Sequence, residues 1–140
     1  MPAATDLAST ASELRIVLGQ LVRRLRADNA LPTSHLAVLS RLDRLGPQTA
    51  SGLAAAEHMR PQSMAQTVAE LQKEGLVERR PDSVDRRQIL VELTQGGRDV
   101  LDDGRRRRED WLSKAIAELT PAEQQVLLNA VDLLRRLAEL

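Results

Sequence analysis

The sequence predicts a mainly α fold carrying one small β-hairpin, with long helices at both ends of the chain. Three observations predict it. Apolar residues repeat at alternating spacings of four and three from Leu7 to Leu25, as on a helix that packs along other helices. Directly after Gly75 the apolar period shortens to that of a strand, on both sides of a turn-rich Pro81-Asp82-Ser83. A Thr120-Pro121-Ala122-Glu123 capping box then opens a last helix with a broad apolar face.

The first helix is expected over residues 6–27, with Leu7, Ala11, Leu14, Leu18, Leu21 and Leu25 on one seam. Exposing that seam to water is costly, so it must lie on other helices of this chain or of a second copy. The second helix runs over residues 32–45: proline suits a first turn, Leu36, Leu39 and Leu42 form a stripe, and Gly46-Pro47 stops it. Thr49 offers an N-cap for a short helix through about residue 57, in which Leu53, Ala54 and Ala56 allow close packing. Three residues later Pro61 opens the next helix, whose missing N–H costs nothing there; Met64, Val68 and Leu71 point inward and Gly75 ends it. The hairpin strands are Leu76 to Arg80 and Gln88 to Leu93, the second alternating Ile89, Val91 and Leu93 against Gln88, Leu90 and Glu92. Thr94 caps a long helix to about residue 119, with Val100, Leu101, Trp111, Leu112, Ala115 and Ile116 marking buried stretches around a charged middle. On the last helix Leu127, Val131, Leu134 and Ala138 are flanked by Val126, Ala130, Leu133 and Leu137, a face wider than one copy of the chain covers.

Composition narrows the function classes. A chain of 140 residues that is 42% hydrophobic fits one domain with a real core. The absence of cysteine removes disulfides, thiolate metal clusters and thiol switches, and fits a reducing cytoplasm. Apolar runs fall well short of the roughly 18 to 20 residues of a membrane span, and the N-terminus, with Asp6 and Glu13, has no signal pattern. Lys and Arg total 20, as do Asp and Glu, so only the placement of arginines can argue for nucleic acid. Trp111 is the one aromatic residue among Phe, Tyr and Trp, which argues against base-stacking platforms for single strands and leaves duplex reading open.

Helix, short helix, turn, helix and basic hairpin, in that order, make a winged helix-turn-helix: the second helix of the pair enters a major groove and the hairpin tip reaches the flanking backbone. From Leu36 to Gly97 the chain resembles the MarR family, in Leu53-Ala54, the helix from Pro61 to Gly75, Gly75-Leu76-Val77-Glu78-Arg79, and above all Asp85-x-Arg87-x5-Leu93-Thr94-x2-Gly97. The flanking helices are similar to the family's intertwined dimerisation region. The resemblance therefore implies one domain over residues 1–140, with 6–27 and 98–140 as dimerisation helices and 31–97 as the DNA-binding region. It also implies a homodimer and double-stranded DNA as partners, with no cofactor.

On the Pro61 helix the inward set leaves Gln62, Ser63, Ala65 and Gln66 on the face that meets base edges, and glutamine pairs bidentately with adenine. A merely solvated polar face is the plainer explanation; the surrounding motif favours DNA. Arg60 departs from the family's small capping residue: it gives up an N-cap and has the reach to touch a phosphate. Arg86 and Arg87 at the hairpin tip suit phosphate or a narrow minor groove. The resemblance assigns Asp85 and Arg87 to the wing motif, the aspartate holding the arginine; as a bare surface ion pair the two would matter little. Lys73, Arg79 and Arg80 are further phosphate candidates, each as readily a solvated charge.

Residues 105–108 are four consecutive arginines, but they point all round a helix and have acidic partners at i, i+4, as in Asp102-Arg106 and Arg105-Glu109, so they read as a salt-bridged surface. Family resemblance implies release from DNA by a small aromatic or anionic effector in a pocket between the dimerisation helices and the winged unit, with Arg15, His35 and Trp111 as lining candidates; Trp111 reads first as a core or dimer-interface residue rather than a ligand stacker. Catalysis finds no support: His35 and His58 lie in separate elements, with no metal-ligand spacing, P-loop or G-x-S-x-G. The alternative from another class is a dimeric protein-interaction or ligand-binding module that does not bind DNA.

Overall fold

The computed structural model describes residues 6–27 and 29–140. The elements are α1 (Leu7–Arg26), α2 (Thr33–Leu45), β1 (Gln48–Thr49), α3 (Ala50–Ala56), α4 (Pro61–Lys73), β2 (Val77–Pro81), β3 (Ile89–Leu93), α5 (Gln95–Ala117) and α6 (Pro121–Ala138). They gather into two compact units. One holds α2 to β3 and α5 as far as Arg105; the other holds α1, α6 and α5 from Arg106 onward.

Helical periodicity decides the core of the first unit. Val38, Leu39 and Leu42 of α2, Leu53 and Ala54 of α3, and Met64, Val68 and Leu71 of α4 are buried together with Leu76, Val77, Val91, Leu93 and Leu101. Each large member removed from water contributes about 1.5–3 kcal/mol. Pro32 stands just before α2, one place outside the helix expected from it, and offers no side-chain cap. Arg41 Nε donates to Glu57 Oε1 at 2.7 Å, tying α2 to the end of α3. Arg105 reaches Asp43 at 3.2 Å and Asp102 at 3.5 Å instead of the i, i+4 partner Glu109 expected from spacing.

The hairpin belongs to a three-stranded antiparallel sheet of order β1-β3-β2. Val77 faces Leu93, Arg79 faces Val91 and Pro81 faces Ile89; Gln48 and Thr49 of β1 pair with Val91 and Leu90. Val91 and Leu93 are buried as the alternation predicts, but Ile89 is 48% exposed because it pairs with Pro81 at the outer end of the hairpin, away from the helices. Thr94 links sheet to helix: its hydroxyl donates to Gly75 O at 2.6 Å and accepts from Gly97 N at 3.1 Å, the N-cap expected of it.

In the other unit Asp6 caps α1 by accepting from Ala8 N at 3.1 Å. The capping box of α6 is complete: Thr120 Oγ1 accepts from Glu123 N at 3.2 Å and Glu123 Oε1 from Thr120 N at 2.9 Å. Hydrogen bonds to the Glu123 carboxylate, from the Thr120 backbone N–H first and then the Thr120 side chain, hold it below the usual carboxylate range. Gln124 donates to the last carbonyls of α5, Ile116 O at 3.1 Å and Leu119 O at 3.2 Å. The guanidinium of Arg24 lies 4.9 Å from the centre of the Trp111 ring. Neither α1 nor α6 has a buried residue; Ile16, Val17, Leu21 and Val22 on α1 and Val126, Leu128, Val131 and Leu133 on α6 are exposed. Leu112, expected in a buried stretch, is exposed as well.

Candidate nucleic-acid interface

The turn between α3 and α4 is built from backbone hydrogen bonds. Thr49 Oγ1 accepts from Gly52 N at 3.0 Å and starts α3. Its end is closed by Met59 N–H to Ala54 O at 2.9 Å and His58 N–H to Ala55 O at 3.4 Å, with His58 in the left-handed region at φ 53°. Because α3 stops at Ala56, residues 57–60 form the turn, one more than the three expected.

Arg60 occupies the N-cap of α4 with no side-chain capping bond, and Pro61 takes the first helical position. The side-chain cap is thus given up at this position. Met64, Thr67, Val68 and Leu71 are buried, which fixes the rotation of α4 and leaves Pro61, Gln62, Ser63, Ala65 and Gln66 exposed. All the candidate reading residues therefore sit on the solvent side of one well-anchored helix. Gln66 Nε2 donates to Glu70 Oε1 at 3.2 Å, and Glu70 Oε2 lies 2.8 Å from His35 Nε2 on α2.

The wing tip, residues 82–88, is held by short aspartate turns. Asp82 Oδ1 accepts from Val84 N at 3.0 Å, Asp82 N donates to Gln88 O at 2.9 Å, and Gln88 N to Asp85 O at 2.9 Å. Asp85 Oδ1 accepts from both the backbone N and the Nε of Arg87, each at 3.1 Å, while Arg87 Nη2 reaches Oδ2 at 3.5 Å. The Arg87 side chain beside it, then its backbone N–H, keeps the Asp85 carboxyl below the usual range. Arg87 remains 90% exposed at the side chain, so the pair orients the cation without covering it. Arg86 is exposed beside it. Of the additional cations, Arg80 is engaged by Glu92 at 2.7 Å, whereas Lys73 and Arg79 are exposed.

The three effector candidates lie apart in their bonding. His35 is taken by Glu70, Trp111 by Arg24, and Arg15 is exposed on α1. Sequence reasoning missed Glu70: its i, i+4 spacing to Gln66 was a readable signal, its meeting with His35 across 35 residues was not. Among the described residues no group of His, Asp and Glu is arranged to hold a metal ion, and no helix is long and apolar enough to cross a membrane.

A model of the MarR family matches residues 31–89. An uncharacterised HTH-type transcriptional regulator of Mycobacterium bovis is 35% identical over 135 residues, covering 94% of each chain. Among solved structures, a Pseudomonas aeruginosa protein assigned as a transcriptional regulator is 40% identical, with TM-score 0.81 and 99% of each chain covered. The fold is also that of a mutant of Staphylococcus aureus MepR bound to an oligodeoxyribonucleotide, at 16% identity and TM-score 0.72, over 91% of this chain and 97% of that one.

Proposed function

The chain belongs to the MarR family and is a DNA-binding transcription regulator rather than an enzyme; from that premise we propose how it binds. The reading is of a cytoplasmic homodimer that places α4 of each subunit in successive major grooves of a pseudo-palindromic operator, with Arg86 and Arg87 on the flanking backbone or minor groove.

The observation that carries it is the two-sidedness of α4. Its inner face is locked into the core by Met64, Val68 and Leu71, and its outer face offers Gln62, Ser63 and Gln66 beside the cation Arg60. A rigid helix with short polar groups outward is what base-edge reading requires, since flexible readers lose affinity to ordering. The sheet packed on the same core ends in a tip whose Arg87 is held by Asp85 yet open to solvent. Dimerisation is supported by α1 and α6, which carry rows of leucine, isoleucine and valine with no buried member.

Occupying a promoter in this way represses transcription, and a small aromatic or anionic effector that prefers another spacing of the two reading helices releases the DNA. Thermal-shift measurements with aromatic carboxylates test the effector. The binding itself is tested by fluorescence anisotropy of labelled duplex across a salt series: log affinity should fall linearly with log salt, and salt-independent or absent binding would overturn the proposal.

A further inference from the structure

Glu70 sits on the same helix as the candidate reading residues, and an anion there works against phosphate binding at every sequence. Its contacts give it a different task. A carboxylate only accepts hydrogen bonds, so the group at 3.2 Å on Oε1 must be the amide nitrogen of Gln66, and the group at 2.8 Å on Oε2 must be a protonated ring nitrogen of His35. His35 is anchored: its side chain is 12% exposed on α2, a helix of the core, with Ser34 Oγ 3.4 Å from Nδ1. The chain of contacts therefore runs from a fixed helix, through Glu70, to the outer face of α4.

We propose that Glu70, held by His35, fixes which way round the Gln66 carboxamide is offered to DNA, making Glu70 and His35 positioning residues for base readout. The inference rests on reading α4 as the DNA-facing helix. A free carboxamide presents its oxygen and nitrogen in either order and must give up that freedom to read a base edge. With one N–H committed to Glu70, Gln66 keeps an acceptor and one donor in a set order, the pair that matches N6–H and N7 of adenine. The anion thus weakens binding at all sequences while sharpening the choice at one position, a trade of affinity for specificity.

The test uses the full-length protein and duplexes selected by it from a random pool, with every base substituted in turn. Glu70→Leu removes both accepting oxygens at similar size, so neither His35 nor Gln66 keeps a partner there whichever tautomer the imidazole takes. The proposal expects the preference at the one base pair per half-site that depends on Gln66 to fall roughly fivefold or more. Other positions should be unaffected, and non-specific duplex binding should tighten as the anion is lost. In a Gln66→Ala background, Glu70→Leu should change base preference no further. An unchanged preference, a loss spread evenly over all positions, or an undiminished effect in the Gln66→Ala background would each overturn the role of Glu70. An unsubstituted protein that selects no duplex would overturn the DNA reading itself, and the role of Glu70 with it.

Discussion

His58 and Gly75 hold the same place in two copies of one helix-ending motif, and only the second is glycine. After α3, His58 at φ 53° precedes Met59, whose N–H returns to Ala54 O at 2.9 Å; after α4, Gly75 at φ 77° precedes Leu76, whose N–H returns to Leu71 O at 2.9 Å. Both are left-handed caps, where a β-carbon is strained and glycine is not. His58→Gly should therefore stabilise the protein by about 0.5–1 kcal/mol, and Gly75→Ala should destabilise it by about 1–2 kcal/mol. Urea midpoints measure both, and a destabilised His58→Gly would show that the imidazole makes a contact worth more than the backbone strain.

Gly97 is constrained by space, not by its dihedral angles. A β-carbon there would run into the carbonyl oxygen of Leu76 and come within 2.5 Å of Leu93 Cδ1, at the joint where Thr94 binds sheet to α5. Gly97→Ala should cost about 3 kcal/mol, at the upper end for overpacking, because backbone must move. Equilibrium unfolding checks it, and a change under 1 kcal/mol would mean the joint yields easily.

Asp85 should matter to DNA and hardly at all to folding. The pair it makes with Arg87 is solvent-exposed, so Asp85→Ala should leave the unfolding midpoint within error while lowering operator affinity severalfold through a less ordered Arg87. Equal affinity in the variant would mean that the aspartate does not organise the wing for binding.

The apolar faces of α1 and α6 should define the dimer. A charge placed among them, as in Val131→Glu, should shift sedimentation toward monomer and lower the thermal midpoint, which then depends less on protein concentration. Unchanged sedimentation would remove α6 from the interface.

Acid should loosen the start of α6. The Glu123 carboxyl is held below its ordinary range by Thr120, so its charged form favours the folded state. That contribution is present above the unfolded value of about 4.3 and is lost as pH falls through the lowered folded one. The stability difference between the protein and Glu123→Gln should accordingly be constant near neutrality and shrink in acid; a difference constant down to pH 2 would contradict the assignment.

The elements whose signals are local were legible in the sequence. Thr49, Thr94 and Thr120 cap where their positions imply, and the four-residue period of Met64 and Val68 sets the rotation of α4. What escaped depends on partners distant in sequence or on elements too short for a period. β1 is two residues long, and nothing in Gln48-Thr49 announces a strand until Val91 and Leu90 lie beside it. The exposure of Ile89 follows from its register with Pro81, which alternation does not fix. The contact of His35 with Glu70 is a meeting of two helices that no local pattern encodes.

The most direct test of the account is in vitro selection of duplex DNA from a random pool by the purified protein, followed by affinity measurements on the winner across a salt series. An inverted repeat with half-site centres about one helical turn apart is expected, with a steep salt slope that Arg87→Ala reduces by about one counterion per subunit. A folded dimer that enriches no motif, or whose binding ignores salt, would contradict it.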